Sequence, residues 1–162
     1  MKAKIVPAST CSPAAVLGLH HIKIIASDLS RSLAFYRDAL GFELLYEAER
    51  SKLPVYDQLM GYENIHLKLA MMRKADQGPL LALMQFLNPP SESPHRELYQ
   101  AGGVALALQV RDLETVIGNL LKRNVLILCH PQDIIRDEKR VASAAYIADP
   151  DGLRIELYEP FP

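Results

Sequence analysis

This chain of 162 residues has few cysteines, no long apolar run and almost no net charge. Each of these three features, when abundant, would assign a protein to a class. Its two cysteines, Cys11 and Cys129, are too few for a disulfide framework and fit a reducing cytoplasm. No apolar run approaches the roughly 20 residues that a membrane-spanning helix needs. The formal net charge is −1, so neither sign dominates. We therefore expect a cytoplasmic protein that binds neither nucleic acid nor a membrane.

The order of the expected elements divides the chain into two similar halves. Residues 1–17, interrupted by Pro7 and Pro13, are typical of an N-terminal extension rather than a signal peptide. Residues 18–87 predict a strand, a helix and three more strands, and residues 102–160 predict the same order again. The segment 88–101 begins with a Pro- and Ser-rich stretch and reads as a linker. The sequence thus predicts an α+β fold of two βαβββ modules.

Hydrophobic periodicity and end signals place the individual elements. The first helix begins behind Ser27 or Asp28, either of which can cap its first N–H groups, and the second begins behind Asp112. The helices end near Gly41 and Asn124, the residue types that best tolerate a left-handed conformation. Segment 51–61, which holds Pro54, is expected to be a loop. The strands are predicted at residues 19–26, 42–50, 64–73, 80–87, 104–110, 125–129, 140–148 and 153–159.

The two modules also match residue by residue. A twelve-residue segment beginning at Gly18 recurs in weaker form 84 residues later, so that His21 corresponds to Ala105. A second match, 74 residues apart, makes Ala82 correspond to Glu156. An internal repeat supports the element assignments, because two segments would have to mislead in the same way. The comparison also shows that each module keeps a polar residue where the other has alanine.

Strand side chains alternate between two faces, so odd and even positions separate into two sets. One set is apolar throughout and is expected to pack under the helices. It includes Ile22, Ile24, Ile65, Leu67, Leu69, Leu81, Leu83, Leu106, Leu108, Ile155 and Leu157. The other set mixes small, aromatic and polar side chains, as a ligand cavity does. The alternative is that this mixed face is not a cavity and is simply exposed to solvent. The polar residues assigned to the mixed face are His21, Lys23, His66, Lys68, Gln109, Tyr146, Arg154, Glu156 and Tyr158.

Three stretches of the chain resemble the vicinal oxygen chelate superfamily, which includes glyoxalase, extradiol dioxygenases, methylmalonyl-CoA epimerase, and fosfomycin and bleomycin resistance proteins. They are His21 to Phe42, Val110 to Leu113, and Ala148 to Leu157, with its Asp-Pro-Asp-Gly turn. The resemblance covers roughly Leu17 to Pro160. It implies that the two modules pair their curved mixed sheets into a cup, that the cup takes a small molecule, and that the protein forms a homodimer.

The resemblance also implies four metal-ligand positions, on the first and last strand of each module. Carried onto this sequence, two of them fall on His21 and Glu156 and the other two on Ala82 and Ala105. Alanine cannot bind a metal, so two protein donors remain where catalytic metal sites usually have three. A divalent Fe, Mn, Zn, Ni or Mg ion would need a further donor; otherwise the protein has no cofactor. The candidates are His66, a bidentate substrate, or Gln85 if a bulge turns it into the cavity.

Two functions of different classes follow. A third possibility is a degenerate member of the superfamily whose paired modules serve mainly in dimerisation. The first is a metal-assisted lyase, isomerase or dioxygenase acting on a small oxygen-rich substrate, with His21 and Glu156 as catalytic residues. The second is metal-free binding or sequestration of the bleomycin-resistance type, in which the same two residues form hydrogen bonds or move a proton. Residues expected to contact the ligand in either case are Lys23, His66, Lys68, Gln109, Tyr146, Arg154 and Tyr158.

Overall fold

The structure of the protein is a computed structural model that describes residues 15–74, 78–92 and 98–162. Most of the expected N-terminal extension, with Cys11, and the centre of the expected linker lie outside the described residues. Within the described ranges, all eight expected strands and both expected helices occur in the expected order, together with one further helix. None of the helices in these ranges is both long and apolar enough to cross a membrane.

Each module forms one four-stranded mixed sheet. The strand orders are β1-β4-β3-β2 and β5-β8-β7-β6, with parallel pairing in β1–β4 and β5–β8 and antiparallel pairing elsewhere. The first module comprises β1 (His21–Ile25), α1 (Leu29–Ala34), which continues as a π-helical segment (Phe35–Ala39), β2 (Glu43–Ser51), α2 (Pro54–Met60), β3 (His66–Arg73) and β4 (Leu80–Asn88). The second module comprises β5 (Leu106–Gln109), α3 (Leu113–Leu121), β6 (Ile127–Arg136), β7 (Lys139–Ala148) and β8 (Arg154–Pro160).

The helix ends follow the signals in the sequence. Asp28 accepts a hydrogen bond from the backbone N–H of Arg31 at 2.9 Å and so caps α1. Asp112 caps α3 in the same way, through the N–H of Thr115 at 3.2 Å. Gly41 and Asn124 have φ angles of 69° and 57°, the left-handed conformation expected behind each helix. The periodicity and the end residues therefore fixed both helices correctly.

The two modules share one hydrophobic core. Ile24, Leu81 and Leu83 of the first module and Ile155 and Leu157 of the second are all buried in it. Both main helices contribute to the same cluster, so the prediction that this set packs under the helices is confirmed for β1, β4 and β8. The further helical residues buried in this core are Leu29, Leu33, Tyr36, Leu113, Ile117 and Leu120.

Two element assignments were wrong. Segment 51–61 is not a loop throughout, because it contains α2, which has Pro54 in its first turn and Gly61 with φ 74° at its end. This order of Pro and Gly is itself a helix signal that the sequence carried. Strand β6 does not end at Cys129 but continues to Arg136. The register with β7 shifts between Cys129 and Gln132, which accommodates the proline that suggested a strand end.

Candidate functional site

The face of each sheet opposite the shared core is called the cup face. On the first sheet Lys23 lies in register with Ala82, and on the second Glu156 lies between Ala107 of β5 and Tyr146 of β7. Neighbours in register point to the same side of a sheet. Most of the residues assigned to the mixed face therefore do share the cup face. They are His21, Lys23, Gln109, Tyr146, Arg154, Glu156 and Tyr158.

His66 and Lys68 do not belong to this set, so their predicted orientation was wrong. Lys68 lies in register with Gln85 and Glu49, which point away from the cup. His66 has the same parity, and its Nε2 lies 2.5 Å from an oxygen of Glu49. The prediction that Ile65, Leu67 and Leu69 face the helix was wrong as well. Leu67 and Leu69 lie in register with Phe86 and Met84 on the cup face, and Ile65 belongs to the same cluster.

The additional helix explains this inversion. Ile65, Leu67 and Leu69 are buried in a second apolar cluster with Met84. Tyr56 and Met60 of α2 pack against this cluster. The cup face of the first module is thus partly covered by protein, and apolar side chains point into it. Because segment 51–61 was predicted to be a loop, no element was expected to cover the cup side of β3. The wrong loop assignment and the wrong orientation of the β3 side chains therefore have one cause.

Gln85 points away from the cup, as its parity indicated. Its amide oxygen accepts a hydrogen bond from the N–H of Leu29 at 3.1 Å, and its amide nitrogen donates to the carbonyl of Ser27 at 2.9 Å. Both contacts hold the start of α1 against β4. No bulge turns Gln85 into the cavity, so it supplies no metal donor there.

His21 lies at the start of β1 and is only partly exposed. Its Nδ1 lies 2.8 Å from Nδ1 of His20, and the two rings meet edge to face. Burial, the charge of Lys23 and the neighbouring His20 all lower the pKa of His21 below its usual value of 6.5. The imidazole is therefore neutral at pH 7 and has a nitrogen lone pair that can accept a proton.

Glu156 is the carboxylate at the centre of the second module's cup face. Tyr146 lies beside it on β7, and Arg154 precedes it by two residues on the same face. Burial and the charge of Glu156 raise the pKa of Tyr146, and the charge of Arg154 opposes that rise. The Tyr146 hydroxyl therefore stays protonated at neutral pH and is available as a hydrogen-bond donor.

The four positions at which the resemblance implies metal ligands form an incomplete donor set. Ala82 is 3% exposed and Ala105 is partly buried, and both carry only a methyl group. Among residues 15–74, 78–92 and 98–162, no three His, Cys, Asp or Glu side chains converge as a metal site would require. His66, offered as a third donor, lies on the other face of its sheet. The donor set of one chain therefore does not fit a metal of the glyoxalase type.

A cavity of about 790 Å³ lies where the two sheets meet. Lys23 lines it from the first module, and Ala105 and Arg154 line it from the second. Tyr62, which follows α2, and Leu98 also line it. Sequence reasoning missed Tyr62 and Leu98, because neither belongs to a strand whose parity could have placed it. The cavity brings together Lys23 and Arg154, one polar cup residue from each module, whereas His21 and Glu156 are not among its lining residues.

A set of polar contacts, called the clasp, joins the start and body of the first helix to the β7–β8 turn. The carboxylate of Asp151 accepts hydrogen bonds from the N–H and hydroxyl of Ser27 and from the guanidinium of Arg31, the last at 2.8 Å. Tyr36 is fully buried, and its hydroxyl donates to Asp149 at 3.0 Å. Asp149 also accepts the N–H groups of Asp151 and Leu153. The clasp fixes the turn that precedes Arg154 relative to β1.

The buried carboxyl of Asp149 should make stability depend on pH. Burial raises its pKa above the usual 3.8, against the hydrogen bonds from Leu153, Asp151 and Tyr36, which lower it. A carboxyl whose folded-state pKa is raised contributes stability that is complete below the unfolded pKa and is lost as pH rises through the folded value. The free energy of unfolding of the wild type, relative to Asp149→Asn, should therefore fall as the pH rises above 3.8 through the raised folded-state pKa. Urea unfolding of both proteins across this range measures it, and a difference that is constant with pH would contradict it.

Comparison with known families agrees with this architecture. Residues 18–157 match the family model described as the Glyoxalase/Bleomycin resistance protein/Dioxygenase superfamily. The match includes both βαβββ modules and every cup residue named above except Tyr158.

Individual relatives support the same assignment. Protein YaeR of Escherichia coli is 32% identical over 148 residues, covering 89% of this chain and 99% of YaeR. The metallothiol transferase FosB of Staphylococcus haemolyticus is 29% identical over 144 residues, covering 88% of this chain and 84% of FosB. The crystal structure of a glyoxalase family protein from Bacillus cereus superposes with a TM-score of 0.80 at 19% identity, covering 94% of this chain and all of that one. From the family match over almost all of its length, and from the fold, this chain belongs to the Glyoxalase/Bleomycin resistance protein/Dioxygenase superfamily.

Proposed function

We propose that this protein binds a small, oxygen-rich, anionic molecule in its cup, and that Lys23 supplies positive charge in a position where relatives would hold a metal. The observation that carries the proposal is the register of β1 and β4, which sets Lys23 beside Ala82. A methyl group thus replaces an expected ligand, and an ammonium group lies next to it. The charge of Lys23 is felt at His21, whose pKa it helps to lower. A divalent cation bound to His21 would meet the same repulsion.

His21 and Glu156 are the proposed acid–base groups of the cup. His21 is neutral at pH 7 and can take a proton from a bound ligand, while Glu156 can accept a hydrogen bond or a proton. Tyr146 and Tyr158 flank Glu156 on the same face and offer hydroxyl donors. The ligand carboxylate or enolate oxygen is expected to lie towards Lys23 and Arg154, which both line the cavity.

Thermal unfolding in the presence of small α-keto and α-hydroxy acids tests the proposal. Each acid is compared with its neutral amide. A ligand present at about 100 times its Kd adds about 2.7 kcal/mol to the free energy of unfolding. We expect at least one acid to stabilise the wild type more than its amide does, and Lys23→Ala to lose most of that effect. Lys68→Ala is the matched control, because Lys68 is also exposed but lies on the other face of the sheet. Equal loss in both variants would show that the effect is general surface charge.

A metal-assisted reaction is the second candidate, and the similarity to FosB, named a metallothiol transferase, favours it. Within one chain, His21 and Glu156 would bind the metal, and the further donors would come from outside the chain. Elemental analysis of protein purified without a chelating column, compared with His21→Ala, decides between the two. A stoichiometric metal content in the wild type that falls in His21→Ala would favour the metal-assisted reaction and rule out the metal-free proposal. A wild-type protein that contains no metal and is indifferent to added divalent ions would support the first.

A further inference from the structure

The cavity where the two sheets meet is much larger than a small keto or hydroxy acid. Its volume is about 790 Å³, which lies in the range of sites that take drug-sized ligands. A small keto acid of about six non-hydrogen atoms, each given the roughly 30 Å³ that one water molecule takes in the liquid, would fill only about 180 Å³. Most of the cavity therefore remains for a second and larger part of the ligand.

An apolar wall, defined as Ile25, Tyr62, Leu98 and Val104, lines this cavity. These side chains are large and mainly apolar, yet the exposed fraction of each residue is between 40% and 66%. Single exposed apolar residues are ordinary, whereas several that line one cavity indicate a binding surface. An apolar group that displaces water from such a wall binds favourably. The wall thus indicates that the second part of the ligand is apolar.

Tyr62 is held in place by the apolar cluster against which α2 packs. Its ring meets the ring of Phe86 edge to face, with a distance of 6.4 Å between the two centroids. Phe86 in turn packs against the cluster that β3 and β4 form on the cup side. A side chain that is already positioned loses little conformational freedom when a ligand packs against it. The additional helix therefore has a second consequence, because the chain that follows it brings Tyr62 to the cavity.

The anionic and apolar parts of the site adjoin on β1. Ile25 follows Lys23 by two residues, so both side chains point to the cup face and lie about 7 Å apart along the strand. Three carboxylates also line the cavity: Asp149 and Asp151, which accept hydrogen bonds in the clasp, and Glu92. Carboxylates so close to the ligand would repel a second negative charge on it. The site therefore favours a ligand with one negative charge.

We propose that the ligand of the cup is an amphipathic monocarboxylate, an α-keto or α-hydroxy acid whose apolar chain packs against the apolar wall. The inference rests on the proposed function for the acid end and adds the chemistry of the remainder. Burial of one methylene group raises affinity roughly three- to fourfold. An acid with about four more buried methylene groups should therefore bind on the order of 100-fold more tightly than its short parent.

Isothermal titration calorimetry with straight-chain α-keto acids tests the chain preference. The series runs from three to about eight carbons, and each acid is compared with its neutral amide. We expect the Kd to fall roughly threefold for each added carbon until the chain fills the cavity. The matched probe for each long acid is a dicarboxylate of equal length, with a terminal carboxylate in place of the methyl group. It should bind at least about tenfold more weakly than the monocarboxylate.

Substitutions in the protein locate the apolar wall. Tyr62→Ala and Val104→Ser should each reduce the gain in affinity from the shortest to the longest acid at least about threefold, because each removes part of the wall. Tyr46→Ala and Val55→Ser are the matched controls, since both residues are exposed to a similar extent and lie outside the cavity lining. Lys23→Ala should weaken the binding of all acids by a similar factor and leave the gain per carbon unchanged.

The outcomes separate this inference from the proposed function. Equal binding of acid and amide at every chain length would overturn the proposed function and this inference with it. Acids that bind more tightly than their amides but gain nothing from a longer chain would overturn this inference alone. Equal losses of the gain in Tyr62→Ala and Tyr46→Ala would also overturn it, because the apolar chain would then bind elsewhere.

Discussion

The double variant Ala82→Glu, Ala105→His should bind one divalent metal ion per cup, with an affinity on the order of 1000-fold or more above that of the wild type. The variant places donors at all four positions that the superfamily resemblance assigns to ligands, together with His21 and Glu156. Three or four converging protein donors are what a catalytic zinc site requires, and the wild type has two. Titration with Zn²⁺ or Ni²⁺ against a competing chelator, followed by elemental analysis, measures the gain.

Three controls separate a rebuilt site from unspecific binding. Adding His21→Ala to the double variant removes one donor and should lower the affinity by at least about tenfold. Adding Lys23→Ala removes the neighbouring ammonium and should raise it further, because a positive charge close to the metal opposes binding. A double variant that stays folded and binds no metal more tightly than the wild type would show that these positions do not converge on one point. That result would also remove the basis for placing Lys23 at a lost metal site.

Asp149→Ala should destabilise the fold by about 3–5 kcal/mol. The carboxylate of Asp149 is 5% exposed and accepts hydrogen bonds from the hydroxyl of Tyr36 and from two backbone N–H groups. Alanine would leave all three donors buried without a partner, and each such donor costs about 1–3 kcal/mol. Because one of them belongs to the first module and two belong to the second, the loss also loosens the contact between modules. Urea unfolding monitored by circular dichroism gives the change in free energy.

Two conservative variants make this prediction specific. Asp149→Asn keeps an oxygen for both N–H groups and should cost less than half as much as alanine. Tyr36→Phe removes one buried donor but leaves the carboxylate with two N–H partners, and it should cost about 1–3 kcal/mol. Equal stability of wild type and Asp149→Ala would mean that the Asp149 part of the clasp contributes nothing to the fold. In that case the placement of Arg154 relative to β1 would have to come from the shared core and from the contacts of Asp151 with Ser27 and Arg31.

Local patterns carried much of the fold. The capping aspartates, Gly41 and Asn124 fixed the helix ends because these signals act within a few residues of the backbone they satisfy. Apolar alternation on β1, β4, β5 and β8 separated the core face from the cup face, since those strands lie under the helices along their length. The repeat between modules added independent support, and the resemblance built on the same residues is confirmed by the family match.

β3 shows where such patterns stop being sufficient. Its alternation is as regular as that of β4, and it correctly predicts a strand with two different faces. Which face is inside depends on what covers each one, and a segment outside the strand, α2, covers the cup side. Parity gives the two sets of residues but not their direction, so His66 and Lys68 were placed on the wrong face.

By itself, the sequence determined the two modules, the helix ends and the members of each strand face. Each of these depends on residue type and on spacing within one element or its repeat. The tertiary structure decided the burial of β3 by α2, the clasp between Tyr36 and Asp149, and the cavity where the two sheets meet. These features join residues far apart in the chain, and no local preference of the backbone encodes which distant surface a side chain will meet.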